Sequence, residues 1–183
     1  MPCIPHPRAI TAAGVAIAAL ASGCAPMYPA PPYDAMVARP AAAAPAGIGR
    51  VTVGAFTLRD ARAIDTQCRA AGPIAFDPSL EGYVRDAVRT ELQLRGLFDA
   101  AAPAALGGRI DAVALSTTLP ASSWKLSMAF TRAGQAEVSR SVAVTFASSL
   151  NGYQACVDAA RAFPLALQRL MDEAFADPGL GLA

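Results

Sequence analysis

Trp124, Leu126, Met128 and Phe130 alternate with Lys125, Ser127, Ala129 and Thr131. A side-chain period of two belongs to a strand with one buried face and one open face. The segment therefore obliges the chain to build a sheet and to cover one side of it. Two neighbours read the same way. Residues 109–117 carry Ile110, Val113 and Leu115 as their larger apolar members, and Val138, Val142, Val144 and Phe146 share parity opposite Ser139, Ser141 and Thr145. Loops at Leu119-Pro120-Ala121 and Ala133-Gly134-Gln135 have hairpin length. Arg140 interrupts the last apolar face near its start, which suits a sheet edge or end. Val51, Val53 and Ala55 alternate with Thr52 and Gly54 and predict one earlier strand.

Two helices supply the cover. Asp77-Pro78-Ser79 offers a capping oxygen and a proline where no N–H is needed, and Leu80, Val84, Val88 and Leu92, joined by Tyr83 and Ala87, follow as one apolar stripe. Glu81 with Arg85 and Glu91 with Arg95 are pairs in the favourable order, and Gly96 followed by Leu97 and Phe98 is a natural stop. A final helix is expected over residues 153–175, with Cys156, Ala160, Phe163, Leu167, Leu170, Met171 and Ala174 as its stripe. Pro164 either kinks this helix or begins a second one after a break. Residues 57–77 show no clear period, an unusual length for a compact domain. The order β-α-β-β-β-α predicts an α+β sandwich of two layers, with about four mainly antiparallel strands and two helices on one face.

Composition narrows the function classes. Hydrophobic residues make up 54% of the 183 positions, charged ones 16%, and the formal net charge is +1. That excludes a charged disordered chain, and it leaves no electrostatic footprint for nucleic acid. The one histidine is His6. It lies within residues 1–23, which read as an export signal: Arg8 is the basic start, and the apolar run over residues 9–21 falls short of the about 20 residues that a membrane span needs. Residues 24–48 carry Pro26, Pro29, Pro31, Pro32, Pro40 and Pro45, a density that predicts an extended tether reaching at most roughly 75 Å. Met27, Tyr28 and Tyr33 are the side chains in it able to touch a membrane interface or a partner. Residues 49–183 then read as one α+β domain.

The signal ends in Ala21-Ser22-Gly23-Cys24, with Leu20 just upstream. This tetrapeptide resembles the lipobox of bacterial lipoproteins, although Ala21 stands where leucine is commonest. The resemblance implies that the Cys24 thiol receives a diacylglyceryl group, that cleavage occurs just before it, and that the new amino group is acylated. Two or three acyl chains anchor a protein stably, at about 0.8 kcal/mol per buried methylene. Ala25, where aspartate would favour inner-membrane retention, implies the periplasmic face of the outer membrane. Lipobox, proline-rich segment and element order together look like small Gram-negative envelope lipoproteins, among them the lipopolysaccharide-assembly lipoprotein and the auxiliary lipoproteins of ABC-type transport systems. Members are generally non-catalytic partners of larger envelope machines, so the resemblance implies a lipid bilayer and an envelope protein as partners.

Export also bears on the remaining cysteines. Cys68 and Cys156 would meet an oxidising compartment, and a disulfide between them is expected, one that would hold the unpatterned stretch against the last helix. The competing reading is a metal or catalytic pair, which two distant cysteines without histidine support poorly. With the signal removed no imidazole is left for a Ser-His-Asp or Cys-His mechanism, and Gly107-Gly108 lacks the setting of a phosphate loop. Asp60, Asp65 and Asp77 are the carboxylates available to a glycosidase-type reaction. The expectation is therefore no metal, no cofactor and no catalysis. Two surfaces remain: the face carrying Lys125, Ser127, Ala129, Thr131, Ser139, Ser141 and Thr145, which reads as an ordinary solvated sheet face or as a docking plane, and the strand-spaced Trp124, Met128 and Phe130, which read as simple core or as the lining of an acyl-chain site. The leading reading is a membrane-anchored accessory subunit; the alternatives are a hydrophobic-ligand carrier and a carboxylate-dependent envelope hydrolase.

Overall fold

The computed structural model describes residues 27–36, 49–69 and 72–182. The export signal, Cys24 and residues 37–48 of the expected tether lie outside the described residues. The described residues begin with a two-residue strand β1 (Tyr28–Pro29) and a one-turn helix α1 (Tyr33–Met36). Strand β2 (Thr52–Leu58) follows, then three short strands, β3 (Ile64–Asp65), β4 (Gln67–Cys68) and β5 (Gly72–Ala75). Helix α2 (Leu80–Leu94) leads into a meander of β6 (Ala105–Ser116), β7 (Ser123–Arg132) and β8 (Val138–Thr145), and α3 (Gly152–Phe175) closes the fold.

The architecture is an α+β sandwich. Its main sheet has five strands, ordered β2-β6-β7-β8 with β3 also paired to β6, and a small sheet is ordered β1-β5-β4. The expected α+β sandwich is thus present, and its longest ladders, β6 with β7 and β7 with β8, are antiparallel as expected. Two further strands of the main sheet, β2 and β3, both run parallel to β6. The reason is topological: α2 carries the chain from one end of the sheet back to the other, and a crossover helix returns the next strand in the same direction.

Local chemistry places the helices. The Ser79 hydroxyl accepts from the Gly82 N–H at 3.1 Å and caps α2. After it Gly96 sits at φ 68°, a left-handed position that suits glycine, and the Leu97 N–H returns to the Leu92 carbonyl at 2.8 Å. The stripe Leu80, Tyr83, Val84, Ala87, Val88 and Leu92 is buried. Asn151 caps α3, which runs unbroken through Pro164. Both halves of α3 are clamped, because Phe163, Leu167, Leu170 and Met171 are all fully buried. That packing resolves the alternatives of kinked helix and second helix in favour of one continuous element.

Gly107 and Gly108 lie inside the central strand β6. A Cβ on Gly108 would meet the Ala129 carbonyl at 2.4 Å and the Phe56 ring at 2.8 Å, so glycine is needed there for close packing. The stretch 57–77 also gains structure. The Asp60 carboxylate accepts from the Arg62 N–H, β3 adds to β6, and β4 pairs with β5. Segments of two residues are too short to show a period, which is why only pairing partners reveal them.

Residues 27–36 depart from the expected tether. Tyr28 and Tyr33 are buried, β1 pairs in parallel with β5, and the Ala30 N–H donates to the Ala75 carbonyl at 2.9 Å. The Tyr33 hydroxyl donates to Glu91 at 2.7 Å and the Tyr83 hydroxyl to the Pro31 carbonyl at 2.8 Å. Prolines restrict the unfolded segment, so ordering it costs less conformational entropy, and two tyrosines supply apolar area in return.

Candidate functional site

The open face of the main sheet is built by parity. Because Trp124, Leu126, Met128 and Phe130 turn inward, the residues between them take the opposite face, where Ala129 is nevertheless fully buried. Antiparallel register then sets Lys125 opposite Ala143, Ser127 opposite Ser141, Ala129 opposite Ser139 and Ser123 opposite Thr145. Thr131 stands opposite Gly107, at the end of the same face. The structure thus brings Lys125, Ser127, Thr131, Ser139, Ser141 and Thr145 onto one surface, with the Ser141 hydroxyl donating to Ser127 at 2.8 Å.

The sequence reading missed what β6 contributes. Ala112 and Ala114 continue the plane, and with Lys125, Ser127, Ser141 and Ala143 they line a shallow, largely apolar groove of about 420 Å³. A register shift between Ile110 and Ala112 moves β6 out of simple alternation, and that bulge hides its open face from a period-two search. One end of the plane is charged. Asp111 accepts from Arg109 at 2.7 Å and lies 3.8 Å from Arg59, while Glu137 approaches Arg109 at 3.5 Å. Asp111 raises the pKa of the Arg109 guanidinium further by hydrogen bonding and charge. Strand β8 is the outer strand of the sheet, as Arg140 suggested, and that arginine ion-pairs with Asp177.

The other candidate residues take different places. Cys68 and Cys156 form a disulfide with Cα atoms 5.7 Å apart. Trp124, Met128 and Phe130, considered for an acyl chain, are buried among other core side chains. The Trp124 ring meets Phe163 edge-on at 5.1 Å and its Nε1–H donates to the Ala159 carbonyl at 2.8 Å, and Phe130 lies between Phe56 at 6.2 Å and Phe175 at 5.9 Å. Asp60 and Asp65 each accept a nearby backbone N–H and serve turns. Asp77 lines a small depression with Tyr33, Asp34, Tyr83 and Asp86. Burial, reinforced by the charge of Asp34, pushes the Tyr83 phenol well above its ordinary pKa. Cys24 lies outside the described residues. Among the described residues no group of three or more His, Cys, Asp and Glu side chains is placed to hold a metal ion, and no helix is long and apolar enough to cross a membrane.

No protein-family model matches the sequence, and no curated protein matches it. Among solved structures, a Xanthomonas campestris protein described by the family model DUF330 is similar at 17% identity and a TM-score of 0.49, covering 85% of this chain and 96% of that one. A second, described as an uncharacterized protein, is similar at 13% identity and a TM-score of 0.39, covering 81% of this chain and 88% of that one.

Proposed function

We propose that this protein is a lipid-anchored lipoprotein on the periplasmic face of the outer membrane, acting without catalysis as a binding subunit of an envelope assembly or transport system. The observation that carries the reading is Ala21-Ser22-Gly23-Cys24 at the end of an apolar run too short to span a bilayer. The Cys68–Cys156 disulfide supports an exported setting. The open sheet face supports docking in place of chemistry. Away from its charged end it is made mainly of Ala, Ser and Thr around a shallow groove, with Lys125 towards the opposite end, so a partner can approach the groove without displacing many long side chains.

Two measurements test it. Palmitate labelling of the full chain is expected, and its persistence in Cys24→Ala would contradict the anchor. A stoichiometric partner is expected to co-purify from detergent-solubilised envelope and to be lost in Ser141→Arg/Ala143→Arg, whose thermal unfolding should match the parent because both positions are exposed. Unchanged recovery of that partner by the double variant would remove the sheet face from the proposal.

A further inference from the structure

The packed N-terminal segment changes where the body sits relative to its anchor. Met27 is the third residue after Cys24, and three extended residues span at most about 10 Å. Whatever holds Cys24 therefore lies within that reach of Met27, and Met27 is fixed next to Tyr28, which is buried against the body.

Large exposed hydrophobic side chains gather at that same place. Met27 is 67% exposed, Tyr153 65% and Leu150 87%. The rings of Tyr28 and Tyr153 are 5.6 Å apart, and Met27, Tyr28, Tyr153, Val157 and Arg161 line one shallow depression of about 330 Å³. Leu150 precedes the Asn151 cap of α3, one turn before Tyr153. Two basic residues flank the group: Arg161 at the depression, and the exposed Arg69, whose guanidinium donates to the Ser149 carbonyl at 2.7 Å beside Leu150. The apolar Met27 and Leu150 beside Tyr153, whose ring ends in a polar hydroxyl, set with two arginines, match the interfacial layer of a bilayer carrying anionic headgroups.

We propose that Met27, Leu150 and Tyr153, with Arg69 and Arg161, form a membrane-docking patch that rests on the phospholipid surface holding the acylated Cys24. The inference rests on the lipidation reading and adds an orientation to it. The body lies against the bilayer by the start of α3, and the open sheet face is left for a partner.

The test uses acylated full-length protein carrying Tyr153→Trp, reconstituted in phosphatidylethanolamine/phosphatidylglycerol vesicles made with bromine-labelled acyl chains. Leu165→Trp is the reference, because position 165 is exposed on α3 about 18 Å further along the helix. The native Trp124 is fully buried and serves as an internal constant. The indole at position 153 is expected to lose emission to the brominated chains and to shift blue, while the one at 165 does neither. Equal emission at both positions overturns the inference, as does an indole at 153 that is shielded from aqueous iodide yet untouched by bromine, the result a docked protein would give. Flotation with the vesicles reports the anchor separately. If the parent floats and Cys24→Ala does not, a negative quenching result removes the docking patch alone; if the parent fails to float, the anchor falls and the inference with it.

Discussion

Glu91 is fully buried, and its carboxylate joins three parts of the chain. It accepts from the Tyr33 hydroxyl at 2.7 Å and from Arg95 at 3.3 Å, while Arg95 also pairs with Asp172 on α3 and lies over the Phe175 ring at 5.2 Å. The spacing of Glu91 and Arg95 reads as a surface pair worth a few tenths of a kcal/mol. In the fold it is the fastening of the N-terminal segment. Tyr33→Phe removes one charged hydrogen bond and is expected to lower stability by about 1.5–3 kcal/mol, read as a shift in the urea midpoint with unchanged slope. It should also speed proteolysis of residues 27–36. Tyr83 gives a pH signature. Its phenol titrates higher folded than unfolded, so the unfolded chain loses its proton first as pH rises. Stability is then intact below about pH 10 and falls above it, through the range up to the raised folded value. Urea midpoints measured at pH 8 and pH 11 should diverge, and the divergence should shrink in Tyr83→Phe.

At the scale of elements, the disulfide and the central strand are the sharpest tests. Cys68 and Cys156 are separated by 88 positions, tying β4 to the first turns of α3. Chain-entropy arguments give about 4–5 kcal/mol for a loop of this length, as a ceiling. Cys68→Ser/Cys156→Ser is expected to lose up to that amount in urea denaturation and to open residues 57–77 to trypsin at Arg62 and Arg69. A double variant as stable as the parent would show that sheet pairing alone holds the stretch. Gly108→Ala places a methyl group against the Ala129 carbonyl and the Phe56 ring in the middle of β6. A loss of about 1–3 kcal/mol is expected from the overpacking, checked by thermal unfolding of a variant that still folds.

At the scale of the molecule, one core lies between the inner sheet face and the two long helices, and the outer sheet face and the start of α3 are left open. Much of this was legible in order along the chain. The alternation over residues 124–131 and the stripe over residues 80–92 are periodic signals, and periodicity is local, so the α+β class and the inward and outward sides of β7 and β8 could be read directly. Sequence alone likewise determined the small-small-cysteine ending at Cys24 and the low net charge of +1. Other features depend on contacts between residues far apart in the chain. The parallel pairing of β2 with β6 follows from the crossover through α2, and the two-residue strands β1, β3 and β4 exist only because β5 and β6 are there to pair with them. The docking of residues 27–36, where prolines spell an extended leash, follows from buried places for Tyr28 and Tyr33 and from a carboxylate at Glu91 that the tertiary structure alone assembles. Local propensity carries no information about a hydrogen bond spanning 58 positions, and that contact is what turns a tether into part of the body.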